Sequence, residues 1–120
     1  MSKRKILLVE DIYINQLMVE TFLVDSGFEV KIADDGEKAI EAINIEEPDL
    51  VILDLMMPIM DGFSFLEYLK GKYTFPVIVV SARSDFDSIE KAIKLGAVDY
   101  LIKPFNPTDL INKVERLCAV

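Results

Sequence analysis

The sequence predicts an α/β fold in which five parallel strands alternate with five helices. Short apolar runs alternate along the chain with segments whose apolar residues recur at helical spacing. The central run, residues 50–53, is wholly aliphatic and ends at the lone carboxylate of Asp54, which is typical of a strand buried on both faces. Strict alternation of strand and helix indicates a doubly wound sheet with helices on both faces.

The strands are predicted in order from the apolar runs and the turn residues between them. They are residues 5–10, 28–33, 49–54, 77–81 and 98–102. The second strand alternates Phe28, Val30 and Ile32 with polar residues, which suits a position near an edge. The sheet order 2-1-3-4-5 fits best, although this order is taken from known folds of the class.

A helix is predicted after each strand, because the apolar residues there recur three or four positions apart. Gly27 and Gly96 end the first and fourth helices. Asn106 and Pro107 form the N-cap and first position of the fifth. In chain order, the residues at helical spacing in the five helices are Ile14, Leu17, Met18, Thr21 and Phe22; Ala39, Ile40 and Ile43; Phe63, Leu66 and Leu69; Ile89, Ala92, Ile93 and Leu95; and Leu110, Val114 and Leu117.

The length and composition predict one soluble globular domain over residues 1–120. The net charge of −8 argues against nucleic-acid binding by this chain alone. No apolar run approaches the roughly 20 residues of a membrane span, and the run at residues 6–9 is too short for a secretion signal, so we expect a cytoplasmic protein. The chain has no histidine, which excludes His-ligated metals and Ser-His or Cys-His nucleophiles.

Polar side chains lie at the carboxyl ends of four of the five predicted strands. Glu10 and Asp11 lie at the end of the first, Asp54 of the third, Ser81 of the fourth and Lys103 of the fifth. The carboxyl ends of parallel strands meet at one edge, where ligands bind in such sheets. Strands lie about 4.8 Å apart, so the acids are within reach of one hard divalent cation such as Mg²⁺. The lysine and the hydroxyl suit phosphoryl oxygens.

Each of these residues alone has an ordinary explanation. An acid at a strand end is usually a solvated loop residue, Ser81 is a plausible helix N-cap, and Lys103 is an unremarkable surface lysine. Such explanations do not account for acids, hydroxyl and lysine meeting at one edge of the sheet. The set as a whole therefore favours a functional site.

Three classes of α/β protein use such an edge. A flavodoxin-type flavin binder needs a phosphate-cradling loop after the first strand, and here Glu10 and Asp11 would repel phosphate. A haloacid-dehalogenase-type phosphatase has a second Asp two residues after its nucleophile, where this chain has Met56. The third class is a phosphoacceptor in which Asp54 takes a phosphoryl group and keeps it as a signal.

The motifs together resemble the receiver domain of two-component response regulators over the whole chain. The matching pieces are Glu10-Asp11, Asp54 with Met57-Pro58 and Met60-Asp61-Gly62, Ser81-Ala82, and Lys103-Pro104-Phe105. As a set they are highly specific, whereas any one of them alone would not be.

The resemblance implies a role for each matching residue. Asp54 would be phosphorylated, and Glu10, Asp11, Asp54 and the backbone carbonyl of Met56 would hold Mg²⁺ or Mn²⁺. Ser81, the Ala82 N–H and Lys103 would contact the phosphoryl group, Ser81 and Tyr100 would form the switch, and the bond before Pro104 would be cis.

The resemblance also implies partners. The phosphoryl group would come from a histidine kinase or a histidine phosphotransfer protein. Residues 1–120 would contain no output domain, so the chain would be either a single-domain regulator or relay or a piece of a longer protein. An output partner would bind the face formed by the fourth helix, the fifth strand and the fifth helix. The chain would not be a turnover enzyme, since it would catalyse only its own phosphorylation and a slow loss of the phosphoryl group, with Met56 and Arg83 flanking the attacking water.

Overall fold

The computed structural model describes residues 3–118, which alternate strand and helix from end to end. The elements are β1 (Lys5–Val9), α1 (Tyr13–Asp25), β2 (Glu29–Ala33), α2 (Gly36–Ile45), β3 (Leu50–Leu53), α3 (Gly62–Leu69), β4 (Val77–Ser81), α4 (Phe86–Lys94), β5 (Asp99–Ile102) and α5 (Pro107–Cys118). The strands form one parallel sheet in the order β2-β1-β3-β4-β5. The predicted fold class and strand order are therefore confirmed.

The sheet separates two hydrophobic cores. Side chains alternate between its faces along each strand, so Ile52 belongs to the core under α1 and α5, and Val51 to the core under α2, α3 and α4. All four residues of β3 are buried, as are all five of β4. The continuous aliphatic runs thus lie at the centre of the sheet, and the alternating strand β2 lies at its edge.

Two strands, β1 and β3, end one residue earlier than predicted at the carboxyl edge of the sheet. The predicted first strand includes Glu10 and the predicted third includes Asp54, but β1 ends at Val9 and β3 at Leu53. The amides of both acids still join the ladder: Glu10 N–H donates to Ala33 O (3.1 Å) and Asp54 N–H to Val9 O (3.0 Å). The backbone leaves the sheet only after these amides, which fixes the acids at the strand ends.

The apolar spacing that identifies α1 does not mark its buried face. Ile14, Leu17 and Met18 are 43% to 60% exposed. The buried residues of α1 are Gln16, Val19 and Leu23. The helix carries more apolar residues than one face can bury, and the line through positions 16, 19 and 23 is the one that packs towards the sheet.

The helix termini follow local sequence signals. Asp35, Asp61 and Asp85 cap α2, α3 and α4 by accepting a hydrogen bond from the backbone N–H three residues later. Asn106 caps α5 as predicted, accepting from Thr108 N–H (2.9 Å). Within residues 3–118, no helix combines the length and apolar character required to cross a membrane.

The two faces of α1 are expected to differ sharply in their tolerance of substitution. Leu17→Gln should change the free energy of unfolding by no more than about 0.5 kcal/mol, because the side chain is exposed. Leu23→Ala should lower it by about 2–5 kcal/mol, because the side chain is fully buried. Urea denaturation measures both; a loss in Leu17→Gln as large as that in Leu23→Ala would contradict this orientation of α1.

Candidate functional site

Three carboxylates meet at the carboxyl edge of the sheet. One oxygen each from Glu10, Asp11 and Asp54 lies within 4.8 Å of the others. Glu10 is 3% exposed and Asp54 5% exposed, whereas Asp11 is open to solvent. Three close negative charges repel one another, so this arrangement requires compensating positive charge.

Lys103 supplies part of that charge. Its ammonium lies 2.8 Å from Glu10 Oε1 and 3.1 Å from Asp54 Oδ2. Burial disfavours the charged amine, but the hydrogen bond to Glu10 and the nearby charge of Asp54 outweigh it, so the pKa of Lys103 lies above its usual value. The lysine is therefore an ammonium ion throughout the physiological pH range.

The charge of Glu10 is only partly compensated. Its burial raises its pKa, and the hydrogen bonds from Lys103 and Ile12 N–H offset that burial only in part, while the charge of Asp54 adds to it. A second positive charge at this edge would relieve the remaining repulsion. The three carboxylates are hard oxygen donors, as Mg²⁺ and Mn²⁺ prefer.

The loop after Asp54 is held by backbone contacts. Met56 N–H donates to Asp54 Oδ1 (3.0 Å) and Gly62 N–H donates to Leu55 O (3.0 Å). A Cβ at Gly62 would lie 2.5 Å from Leu55 Cα, so only glycine permits this close approach. The Asp61-Gly62 pair of the sequence motif thus caps α3 and closes the loop that carries Met56.

The same loop contains a strained residue. Ile59 has a φ of +69°, an outlier for a β-branched side chain. Met60 N–H donates to Pro58 O (2.7 Å), which closes a tight turn centred on Ile59. The Ile59 side chain is 73% exposed, so no packing of its own side chain offsets this strain.

Ser81 and Tyr100 converge on one residue. The fully buried Ser81 accepts a hydrogen bond from Arg83 N–H (3.2 Å) through its Oγ, and the Tyr100 hydroxyl donates to Arg83 O (2.6 Å). Burial raises the pKa of Tyr100, so its hydroxyl keeps its proton. Arg83 therefore connects the end of β4 to the aromatic residue of β5.

The remaining residues predicted for the site lie around this edge. Met56 is 55% exposed and lines a surface recess together with Asp11 and Arg83. Ala82 is exposed and borders a cavity of about 580 Å³ between α1 and the start of α5, which also reaches Lys103. The Lys103–Pro104 peptide bond is cis.

The sequence interpretation missed Gln16. This buried residue of α1 donates its side-chain amide to Glu10 O (2.5 Å) and to Asp34 Oδ1 (2.8 Å). The hydrogen bond from Gln16 is the main reason that the pKa of Asp34 lies below its usual value. The signal available in the sequence was a polar residue three and seven positions before the core residues Val19 and Leu23.

Known proteins share both the sequence and the structure of this chain. A family model described as the response regulator receiver domain matches residues 6–115. The regulatory protein VanRc of Enterococcus gallinarum is 40% identical over 112 residues, which cover 92% of this chain and 48% of that protein. The chain spans about half the length of the curated relatives it matches.

Solved structures agree with that match. The receiver domain of the Francisella response regulator 1452 has a TM-score of 0.92 at 33% identity, with 97% of each chain covered. The Vibrio cholerae chemotaxis protein CheY4 has a TM-score of 0.89 at 31% identity, with 97% of this chain and 99% of that chain covered.

Replacing Glu10 with a neutral isostere should stabilise the metal-free protein in a pH-dependent way. Folding raises the pKa of Glu10 above 4.5, so the folded protein binds this proton more tightly than the unfolded chain does. The resulting contribution to the free energy of unfolding is complete below about pH 4.5 and is lost as the pH rises through the folded pKa. Glu10→Gln is neutral at every pH. Its melting temperature in chelator should therefore exceed that of the wild type at pH 7, and the difference should shrink towards pH 4.5.

Few other side chains titrate in the pH range over which the melting temperatures of Glu10→Gln and wild type are compared. The chain has no histidine, the side chain that ordinarily titrates between pH 5 and 8, and the pKa of Lys103 lies above 10.5. A melting temperature of Glu10→Gln that stays below that of the wild type across this range would show that the charged Glu10 stabilises the fold.

Proposed function

This chain belongs to the response regulator receiver domain family, and we propose that Asp54 is the residue on which it accepts a phosphoryl group. Receiver domains are phosphoacceptors of two-component signalling. The observation that carries the assignment is the buried carboxylate of Asp54 at the end of the central strand β3. It lies 3.1 Å from the Lys103 ammonium and shares its edge of the sheet with Glu10 and Asp11.

The site fits a divalent cation. The oxygens of Glu10, Asp11 and Asp54 within 4.8 Å of one another supply hard ligands, and Lys103 neutralises only one of the negative charges. We assign these three side chains and the backbone carbonyl of Met56 as ligands of Mg²⁺ or Mn²⁺. When bound, the cation would neutralise charge on the phosphoryl oxygens and orient the group.

The chain's own residues carry out the transfer. A carboxylate oxygen of Asp54 attacks the phosphorus of a phosphohistidine, the P–N bond breaks, and the imidazole leaves with the electron pair and takes up a proton. Lys103 already contacts the Asp54 carboxylate, so its ammonium can follow the developing charge onto the phosphoryl oxygens. Ser81 Oγ and the Ala82 N–H would bind the other phosphoryl oxygens.

We propose that the chain acts as a signalling domain without turnover of an external substrate. Two positions after Asp54, where the haloacid-dehalogenase-type phosphatases have an acid, this chain has the exposed thioether of Met56. Met56 and Arg83 line the same recess beside Asp11, where they would flank water approaching an acyl phosphate. The donor would be a histidine kinase or a histidine phosphotransfer protein, and residues 1–120 would act as one receiver unit.

Asp54→Asn should abolish phosphorylation by a small acyl-phosphate donor, because the amide cannot act as the nucleophile. Wild type with Mg²⁺ should gain one phosphoryl group by intact mass spectrometry, and wild type with chelator should gain none. Glu67→Gln is a matched control, because Glu67 is an exposed acid of α3 outside the carboxylate cluster; it should label like the wild type.

Two results would contradict the assignment. Equal labelling of Asp54→Asn and wild type would place the acceptor elsewhere. Sustained multiple-turnover hydrolysis of a phosphomonoester by the wild type would favour the phosphatase class.

We propose that the structural change caused by phosphorylation of Asp54 reaches the surface through Arg83. If Ser81 Oγ turns to a phosphoryl oxygen, Arg83 N–H loses its acceptor. The loop that holds Arg83 O then shifts, and the Tyr100 hydroxyl loses its own acceptor in turn. Tyr100 is half-buried and amphipathic, so it can pack inward or stay at the surface. Two positions of one aromatic residue would change the face formed by α4, β5 and α5, where we propose that the output partner binds.

A phosphoryl mimic bound with Mg²⁺ should shift the NMR signals of the Tyr100 ring and of amides in α4, β5 and α5. The shifts should be lost in Ser81→Ala, because that variant lacks the hydroxyl that couples the phosphoryl group to Arg83. Thr21→Ala is the control, since its exposed hydroxyl bonds only to Leu17 O within α1. Shifts confined to the surroundings of Asp54, with Tyr100 unchanged, would refute this route.

A further inference from the structure

We propose that Gln16 is a positioning residue that holds the Glu10–Asp11 peptide so that Asp11 faces the cation site. This inference rests on the proposed function, since it concerns the same site. Gln16 is not a ligand: its side-chain amide donates one hydrogen bond to Glu10 O and another to Asp34 Oδ1. It thus ties the end of β1 to the loop that follows the neighbouring strand β2.

The three acids differ in how firmly they are held. Glu10 is fixed by Lys103 and Ile12 N–H, and Asp54 is fixed by Lys103 and Met56 N–H. No side-chain hydrogen bond holds Asp11 among residues 3–118, and this residue is exposed. The position of its carboxylate is therefore set by the backbone of Asp11 and by its own rotamer.

The Glu10 carbonyl is the backbone atom that bears on that position. It belongs to the peptide plane that leads into Asp11, and β1 has already ended at Val9. Gln16 reaches this carbonyl at 2.5 Å from inside the helix that Asp11 precedes. The hydrogen bond to the Glu10 carbonyl fixes the orientation of the Glu10–Asp11 peptide plane, and this orientation sets the position of Asp11 relative to Glu10 and Asp54.

The second hydrogen bond keeps Gln16 itself in place. Asp34 accepts from Gln16 at 2.8 Å and also pairs with Lys38 (3.2 Å) at the start of α2. With both amide hydrogens engaged, the side chain of this 7% exposed residue has one orientation. Without this clamp, the repulsion from Glu10 and Asp54 would turn Asp11 away from them before a cation binds, and binding would then include the free-energy cost of bringing it back.

The test compares Gln16→Met with the wild type. Methionine has nearly the same length and fills the same space, but it donates no hydrogen bond. Groups that orient metal ligands typically affect affinity by 10–100-fold, so Mg²⁺ binding measured by calorimetry on the full chain should weaken at least about tenfold. In metal-free protein, the amide NMR signals of Asp11 and Ile12 should shift and broaden.

Two further variants separate positioning from general stability. Ile43→Val removes a methyl group from the core on the opposite face of the sheet and should lower the melting temperature without changing Mg²⁺ affinity or the Asp11 amide signal. Asp34→Asn keeps an oxygen that can accept from Gln16, so its Mg²⁺ affinity should remain close to that of the wild type.

Gln16→Met with wild-type Mg²⁺ affinity and unchanged Asp11 signals would overturn the inference and leave Gln16 a structural residue. Equal weakening in Gln16→Met and Ile43→Val would overturn it as well. A wild-type protein that binds no Mg²⁺ would instead refute the proposed metal site, so the two failures are distinguishable.

Discussion

The ion pairs of Lys103 with Glu10 and Asp54 are the interaction on which the functional edge depends. They place one ammonium against two carboxylates that are almost fully buried, where an unpaired charge would be costly. β5 is separated from β3 by β4, so the Lys103 side chain must extend past the end of β4 to meet the acids. The Lys103 backbone stays paired with β4, where its N–H donates to Ser81 O (2.8 Å). One residue thus joins the ends of β1, β3, β4 and β5.

The proposed phosphoryl transfer and metal binding would use the same compensation of charge. The Lys103 ammonium pairs with both Glu10 and Asp54, whereas Asp11, which lies beside them, is not among its partners. A bound cation and a phosphoryl group would redistribute these contacts, because the phosphoryl oxygens offer the ammonium a stronger acceptor than a shared carboxylate. Gln16 and Arg83 form hydrogen bonds to the backbone or side chains around the site, and in our proposals they would transmit or restrain that redistribution.

Local sequence predicted the fold where the pattern was strong. Four consecutive aliphatic residues before Asp54, in a chain where such runs alternate with helical patterns, indicated a central strand, and all four are buried in β3. Asn106 and Pro107 start α5 because cap chemistry is local. The spacing of apolar residues predicted the helix α1 but not its buried face, since Ile14, Leu17 and Met18 are exposed. A helix with apolar residues on several sides does not reveal which side packs against the sheet.

The sequence by itself determined the order of strands and helices and the placement of acids, hydroxyl and lysine after the strands, since these depend on residue type and spacing along the chain. Only the tertiary structure decided that Lys103 bridges Glu10 and Asp54, that Tyr100 and Ser81 meet at Arg83, and that Gln16 is clamped between Glu10 and Asp34. These contacts join residues on separate elements, and the sheet order and the turn of each loop determine which of them come within hydrogen-bonding distance. Those distances cannot be predicted from the spacing of residues along the chain.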